Sequence, residues 1–188
     1  LIRECIKDSQ KYVPDFLDDI IEKNLSSLKN ITSPNNSLPL FNGSVETNLN
    51  YYFDFLSNLN IFIQKNKKLI GDIQILKNNK NVIFFDTGSP PKKKFSQSYQ
   101  CGPLSFEYYR GNEKIITNCG YAYYISKKAV LLSRLTSAQS TLSINDTSVV
   151  KFERNKILNN AFGNSLKGSF KTSDKLFENN EHEIKAIA

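Results

Sequence analysis

A short turn at residues 110–112 (Arg-Gly-Asn), set between two β-rich runs, is the feature that most constrains the fold of this chain. The runs are residues 104–109 and 113–118, and a short Gly- and Asn-containing break between such runs predicts a β-hairpin. Residues 140–145 alternate apolar and polar side chains, which predicts a strand buried on one face. We expect hairpin and strand to be neighbours in one antiparallel sheet that organises residues 100–148.

The first third of the chain predicts helices instead of strands. Apolar residues recur every three to four positions in residues 1–30 and 46–63, and a Ser-, Pro-, Asn- and Gly-rich loop at 31–43 connects them. Helices followed by strands are typical of an α+β fold. We place the seam between a helical segment, 1–65, and an antiparallel β domain, 66–188.

The β domain contains further predicted elements. Residues 72–76 and 82–86 flank a hairpin-like break, whereas residues 127–135 are ambiguous between a helical turn and an extended segment. The remaining predictions are an extended segment at 149–154, an irregular insertion at 156–164, and strands at 168–172 and 183–188.

Composition limits the classes of function only coarsely. The 188 residues carry a net charge of +7 and a pI near 9.2, which suits an acidic partner or an ordinary basic surface. No apolar run approaches the roughly 20 residues that a membrane helix needs, so we expect no membrane insertion. The chain begins at Leu1 without a methionine, and its last residues read as an interrupted strand, so we expect a fragment of a longer protein.

Few residues form a recognisable catalytic or metal-binding pattern. The single histidine, His182, has no predicted partner and is interpreted as a surface residue. The glycines are isolated, which argues against a phosphate loop. Cys101 and Cys119 lie close across the predicted hairpin but out of register for a disulfide, and they lack further ligands for a metal.

Arg134 is the cation with the most suggestive surroundings. The apolar run at residues 129–132 precedes it and would hold its guanidinium against a sheet surface. A fixed arginine can clamp a carboxylate or a sulfate through paired hydrogen bonds. The alternative is a structural salt bridge.

Several short motifs together resemble the heparinase II/III family. In order, they are LFNG (40–43), FDTGSPP (85–91), GPLSFEYYRGNEKIITNCG (102–120) and RLTSAQSTLSINDTS (134–148). The resemblance covers most of residues 38–150. It implies an N-terminal (α/α) toroid followed by an antiparallel β-sandwich, with our helices as the last turns of the toroid and the β domain as the start of the sandwich.

The resemblance also implies an activity. Active members of the family are polysaccharide lyases that cleave uronic-acid-containing chains by β-elimination, using Tyr and His residues that come largely from the toroid. We therefore expect an acidic polysaccharide as partner, a periplasmic or cell-envelope location, and no catalytic activity from this segment alone.

The motifs depart from the family at three positions. Metal-binding members have His, a carboxylate and His where this chain has Gln100, Gly102 and Gln139. Amides are poor zinc ligands and glycine offers none, so we predict no metal and no cofactor. Gln100, Gln139 and Arg134 remain candidate substrate-binding residues, since an amide can both donate to and accept from sugar hydroxyls.

Three hypotheses follow. The first is a fragment of a polysaccharide lyase, and the second is a non-catalytic carbohydrate-binding or cell-envelope module on the same scaffold. The third, a nucleic-acid-binding β domain, is disfavoured because the tyrosines at 108–109 and 121–124 lack clustered Arg and Lys. The sequence sets no oligomeric state.

Overall fold

Helices come first along the chain and strands dominate afterwards. The computed structural model describes residues 1–59, 61, 71–153, 155, 157, 164–172, 176–179 and 184–187. The helices are α1 (Ile2–Asp8), α2 (Asp15–Ile31), α3 (Asn50–Asn58) and α4 (Lys127–Ser133), with 3₁₀ turns at Lys93–Phe95 and Thr136–Ala138. Among the described residues, none of the helices has the length and apolar character needed to cross a membrane.

A four-stranded antiparallel sheet forms the centre of the β region. Its strands are β1 (Ile73–Lys77), β2 (Asn81–Asp86), β3 (Phe106–Arg110) and β4 (Glu113–Ile116), hydrogen-bonded in chain order. Both predicted hairpins are confirmed, and Gly111 turns the second one at φ +58°, a left-handed conformation that glycine adopts without a Cβ clash. The α+β class is therefore confirmed.

Two short antiparallel pairs follow the main sheet. Strand β5 (Lys151–Phe152) pairs with β6 (Leu166–Lys167), and β7 (Leu176–Asn179) pairs with β8 (Ile184–Ile187). Strand β5 falls within the predicted extended segment, and β8 confirms the predicted closing strand. The prediction at 168–172 is wrong: β6 ends before Gly168, whose φ of +100° turns the chain away from a strand path.

The core lies on one face of the main sheet. Phe84 and Tyr109, both fully buried, pack edge-to-face with ring centroids 5.8 Å apart, and Val82 and Phe41 complete the cluster. Burying one such side chain contributes about 1.5–3 kcal/mol. Phe41 comes from the segment that follows α2, so this cluster joins the helical part of the chain to the sheet.

A second apolar cluster includes a residue of β6, and Phe152 of β5 packs against it. It contains Tyr99, Cys101, Val150 and Leu166. Because these residues come from three distant parts of the chain, the cluster draws the segment before β3 and the segment around β6 together. Arg134, which donates to Tyr99 O, connects this cluster to the candidate site described below.

The strand predicted at residues 140–145 is absent, and that prediction was wrong. Leu142 and Ile144 are 79% and 69% exposed, so their alternation with polar residues does not mark a buried face. Ser140 instead uses its backbone and hydroxyl to bond the Asn118 side chain, at 2.9 and 3.1 Å. Side-chain bonds of this kind compete with a sheet ladder. The segment then turns at residues 145 and 146, where φ is +52° and +50°.

The helix predictions hold with changed boundaries. The first predicted helix is divided into α1 and α2 by residues 9–14, where Pro14 precedes α2. The second begins at Asn50, later than predicted, and the proposed seam at 65–66 lies outside the described residues. The ambiguous segment at 127–135 contains α4, whose N-terminus is capped by Ser126 accepting from Ala129 N at 3.0 Å.

Candidate functional site

The three candidate residues come together around the C-terminal end of α4. The side-chain amides of Gln100 and Gln139 both donate to the carbonyl oxygen of Ser133, at 3.0 and 2.7 Å. Both amides also approach Cys119 Sγ, at 3.9 and 3.6 Å. Arg134 is the next residue after Ser133. We call Gln100, Gln139, Cys119 and the Ser133 carbonyl the amide cluster.

Arg134 is fully buried and directs its guanidinium at backbone carbonyls. It donates from Nε to Tyr99 O at 2.8 Å, from Nη2 to Ser96 O at 2.7 Å and from Nη1 to Asn164 O at 2.6 Å. Its Cζ lies 4.3 Å from the centroid of the Phe152 ring, and burial lowers the pKa of the guanidinium. In the part of the chain that the structure describes, all its hydrogen-bond acceptors are backbone carbonyls. Arg134 therefore forms no salt bridge there, and its guanidinium is not directed at an open ligand position.

Gln100 is also buried, with 2% of its surface exposed. Its Nε2 donates to Gly120 O as well as to Ser133 O, both at 3.0 Å, and its Oε1 accepts from Gly43 N at 3.1 Å. One amide therefore ties three chain segments together. Gln139 is only half-buried, so it is the more accessible of the two amides.

Gly102 lies against Gln139 with no room for a side chain. A Cβ added at Gly102 would lie 2.9 Å from Gln139 Cγ and 3.1 Å from Ser105 Oγ. The aliphatic part of Gln139 thus fills the space into which a carboxylate at position 102 would extend. This packing gives a physical reason for the glycine at that position.

The amide cluster does not fit the metal held by the metal-binding members of the family. The amide nitrogens face carbonyl oxygens, Gly102 supplies no ligand atom, and the Gln100 oxygen already accepts from Gly43. Cys119 is the one soft ligand, and burial raises the pKa of its thiol, which disfavours the thiolate that binds a metal. Within the described ranges, no three His, Cys, Asp or Glu side chains come together, and His182 lies outside those ranges.

A cavity of about 340 Å³, lined by both polar and apolar residues, lies beside the amide cluster. Asp86 and Tyr99, which are 5% and 4% exposed, are its most deeply buried polar residues. Asp86 accepts from Asn42 Nδ2 and from Gly88 N, both at 2.9 Å. Tyr99 OH has no hydrogen-bond partner among the described residues, and burial together with the charge of Asp86 raises its pKa, so the phenol stays neutral.

The segment at residues 42–43 connects the amide cluster to the cavity. Gln100 Oε1 accepts from the backbone N of Gly43, and the neighbouring Asn42 donates from Nδ2 to Asp86. A Cβ at Gly43, where φ is +96°, would lie 3.0 Å from the side chain of Ser98, another cavity residue. The bond between Gln100 and Gly43 therefore helps to position Asn42, which lines the cavity.

Sequence reasoning did not single out the cavity as a site. Asn42 and Asp86 do lie in two of the motifs on which the resemblance rests, LFNG and FDTGSPP. Those two motifs were the sequence signal that could have indicated the cavity. The pairing of the two side chains, 44 residues apart, appears only in three dimensions.

Comparison with known proteins agrees with this architecture. The model of the family described as "Heparinase II/III-like, C-terminal" matches residues 69–185. Two solved structures share the fold: a heparan sulfate lyase HepC mutant from Pedobacter heparinus, with a TM-score of 0.56, and the heparinase III BT4657 gene product with methylated lysines, with a TM-score of 0.55. Both are 16% identical and are matched over 76% and 74% of this chain. No curated protein matches.

These findings define the class and then the family. The chain is an α+β segment whose antiparallel sheet is of the heparinase C-terminal type. It belongs to the heparinase II/III-like family, as the resemblance predicted. It spans 27% and 26% of the length of the two structures compared, so it corresponds to about a quarter of such a protein.

Proposed function

We propose that this chain is the β-region of a polysaccharide lyase that cleaves uronic-acid-containing chains by β-elimination. The supporting observation is the family match over residues 69–185, which includes both the amide cluster from Gln100 to Gln139 and most of the cavity. The similar structures are those of a heparan sulfate lyase and a heparinase III, both of them proteins acting on polysaccharides.

The described residues are suited to binding rather than to proton abstraction. β-Elimination needs a group that neutralises the uronate carboxylate, a base for the adjacent C–H and an acid at the leaving oxygen. The buried phenol of Tyr99, with its raised pKa, holds its proton at neutral pH and is therefore no base in its present surroundings. We propose that the half-buried Gln139 hydrogen-bonds a sugar beside the amide cluster. We propose that the base belongs to another part of the protein and that this segment alone is inactive.

A second candidate is a non-catalytic carbohydrate-binding or cell-envelope module. It is favoured by the amide cluster, which offers neutral donors and acceptors where active metal-binding relatives are expected to have His and a carboxylate. Neutral amides can hold a sugar without activating it. The periplasmic or cell-envelope location stays a prediction under both candidates.

An assay of the full-length protein separates the two. Heparan sulfate, hyaluronan, alginate and pectate would be incubated with the protein, and the unsaturated uronate product followed by its ultraviolet absorbance. Product formation from at least one substrate supports the lyase. Binding to one of these polysaccharides without any product supports the module, whereas neither binding nor product contradicts both candidates.

A further inference from the structure

We propose that the cavity beside the amide cluster binds one uncharged sugar unit of the polysaccharide, with its hydroxyls at Tyr99, Asp86 and Asn42 and its ring against Phe95. This inference rests on the proposed function, since it takes a polysaccharide as the ligand. The new element is the type of sugar unit that the cavity binds. The uronate would then lie outside the cavity, next to the bound unit.

Tyr99 OH is the first reason to expect a ligand. The hydroxyl is inaccessible to solvent and has no hydrogen-bond partner among the described residues. Most buried polar side-chain atoms in native proteins do have a partner, so an exception calls for a physical explanation. Tyr99 is one of the residues that line the cavity. We expect the phenol to turn toward a bound sugar, whose hydroxyl would supply both a donor and an acceptor to it.

The charges around the cavity are the second reason, and they select the type of sugar. Two carboxylates, those of Asp72 and Asp86, line the cavity, and no Lys, Arg or His belongs to its lining in the described part of the chain. A uronate carboxylate or a sulfate placed there would be repelled by both. A neutral unit avoids this repulsion, and its hydroxyls can still hydrogen-bond carboxylate oxygens.

The shape of the cavity is the third reason. Its volume of about 340 Å³ is at the small end of the range for small-molecule sites, about 300–1,000 Å³. This suits a short part of a polysaccharide better than a long stretch. Phe95 lines the cavity with 65% of its surface exposed. Lys94 Nζ lies 4.8 Å from the centroid of its ring, so the opposite ring face is the one that a sugar would contact. An aromatic face combined with a few convergent polar groups is typical of ligand sites.

Tyr99→Phe is the sharpest test, because the structural and the ligand-binding roles of the hydroxyl predict opposite outcomes. Removing a hydroxyl that has no protein partner should leave the melting temperature unchanged or higher. If the hydroxyl contacts a sugar, the same change should weaken binding by roughly twofold to tenfold, the equivalent of one hydrogen bond. Tyr123→Phe is the matched control, since Tyr123 is 63% exposed and does not line the cavity.

The full-length protein and its variants would be titrated by NMR with N-acetylglucosamine, cellobiose and glucuronic acid. We expect the neutral sugars to bind more tightly than glucuronic acid, Tyr99→Phe and Phe95→Ala to weaken that binding, and Tyr123→Phe to leave it unchanged. Asp72→Asn should improve the binding of glucuronic acid relative to the neutral sugars. Equal or tighter binding of glucuronic acid by the unaltered protein overturns the proposal, as does unchanged binding or a lower melting temperature in Tyr99→Phe.

The experiments distinguish failure of the cavity proposal from failure of the proposed lyase function. Cleavage of a uronate polysaccharide, with no response to the neutral sugars, overturns the cavity proposal and leaves the lyase intact. Neutral-sugar binding that depends on Tyr99, with no cleavage of any polysaccharide, supports the cavity proposal and contradicts the lyase.

Discussion

Replacing Arg134 with methionine tests whether one buried guanidinium organises the candidate site. Methionine keeps much of the apolar bulk but removes every donor, leaving the carbonyls of Ser96, Tyr99 and Asn164 without their partner. An unsatisfied buried polar group costs about 1–3 kcal/mol. Carbonyls keep a second lone pair and can relax, so we take about 1 kcal/mol each, or about 3 kcal/mol in total, a conservative figure at the low end of that range.

The expected readout is thermal unfolding of the full-length protein. In a domain of 150–250 residues, 1 kcal/mol shifts the Tm by about 2–4 °C, so Arg134→Met should lower the transition of this region by about 6–12 °C. Arg134→Lys should give an intermediate loss, because an ammonium keeps the charge but cannot reproduce the planar fork that meets three carbonyls.

Arg110→Met provides the matched control. Arg110 is exposed at the end of β3, so its replacement removes the same functional group without leaving buried acceptors. Exposed substitutions of this kind usually change stability by no more than about 0.5 kcal/mol. Equal Tm shifts for the two methionine variants, or an unaltered Tm for Arg134→Lys, would refute the structural role assigned to the guanidinium.

Three further predictions concern neighbouring residues. Burial raises the pKa of Cys101 from 9.0 to about 11. The free energy of unfolding that is fully present below pH 9 should therefore fall by about 2–3 kcal/mol as the pH rises through 11. Denaturation curves of Cys101→Ala should lack this part of the pH dependence. Zinc should not protect Cys119 from a thiol reagent, as followed by labelling rate, and protection would contradict the misfit between the amide cluster and a metal. Gly102→Ala should destabilise by about 1–3 kcal/mol in urea unfolding, and adding Gln139→Ala should recover part of that loss, because the Cγ that lies 2.9 Å from the new Cβ is then absent.

Local turn chemistry explains why the hairpins could be predicted. Gly111 lies at a left-handed position between two β-rich runs, and the signal and its structural consequence are only a few residues apart. The prediction of a strand at 140–145 was wrong because its signal depended on packing against distant parts of the chain. Period-two alternation predicts which side chains would share a face, but Leu142 is exposed. Ser140 bonds Phe106 of β3 and the Asn118 side chain, and the residues after it form no ladder with the sheet.

The hydrogen-bond partners of the candidate site residues could not be predicted because those partners are distant in sequence. Arg134 meets carbonyls 30 to 38 residues away, and backbone carbonyls carry no residue-specific signal. An apolar run before an arginine predicts that it lies near a core, which is correct, but not which acceptors it finds. The same holds for Tyr99, whose missing partner is visible only when the whole cavity is assembled.

The bond from Arg134 to Asn164 has a consequence for the order in which this region can form during synthesis. Two more contacts arrive with the same segment: Leu166 N donates to Ser96 Oγ, and Glu153 N donates to Ser165 O, both at 2.9 Å. A nascent chain that has completed α4 but has not yet reached Asn164 would hold a desolvated cation with one acceptor missing. Truncation before residue 164 should therefore yield a chain that retains the β1–β4 sheet yet leaves the guanidinium of Arg134 incompletely bonded.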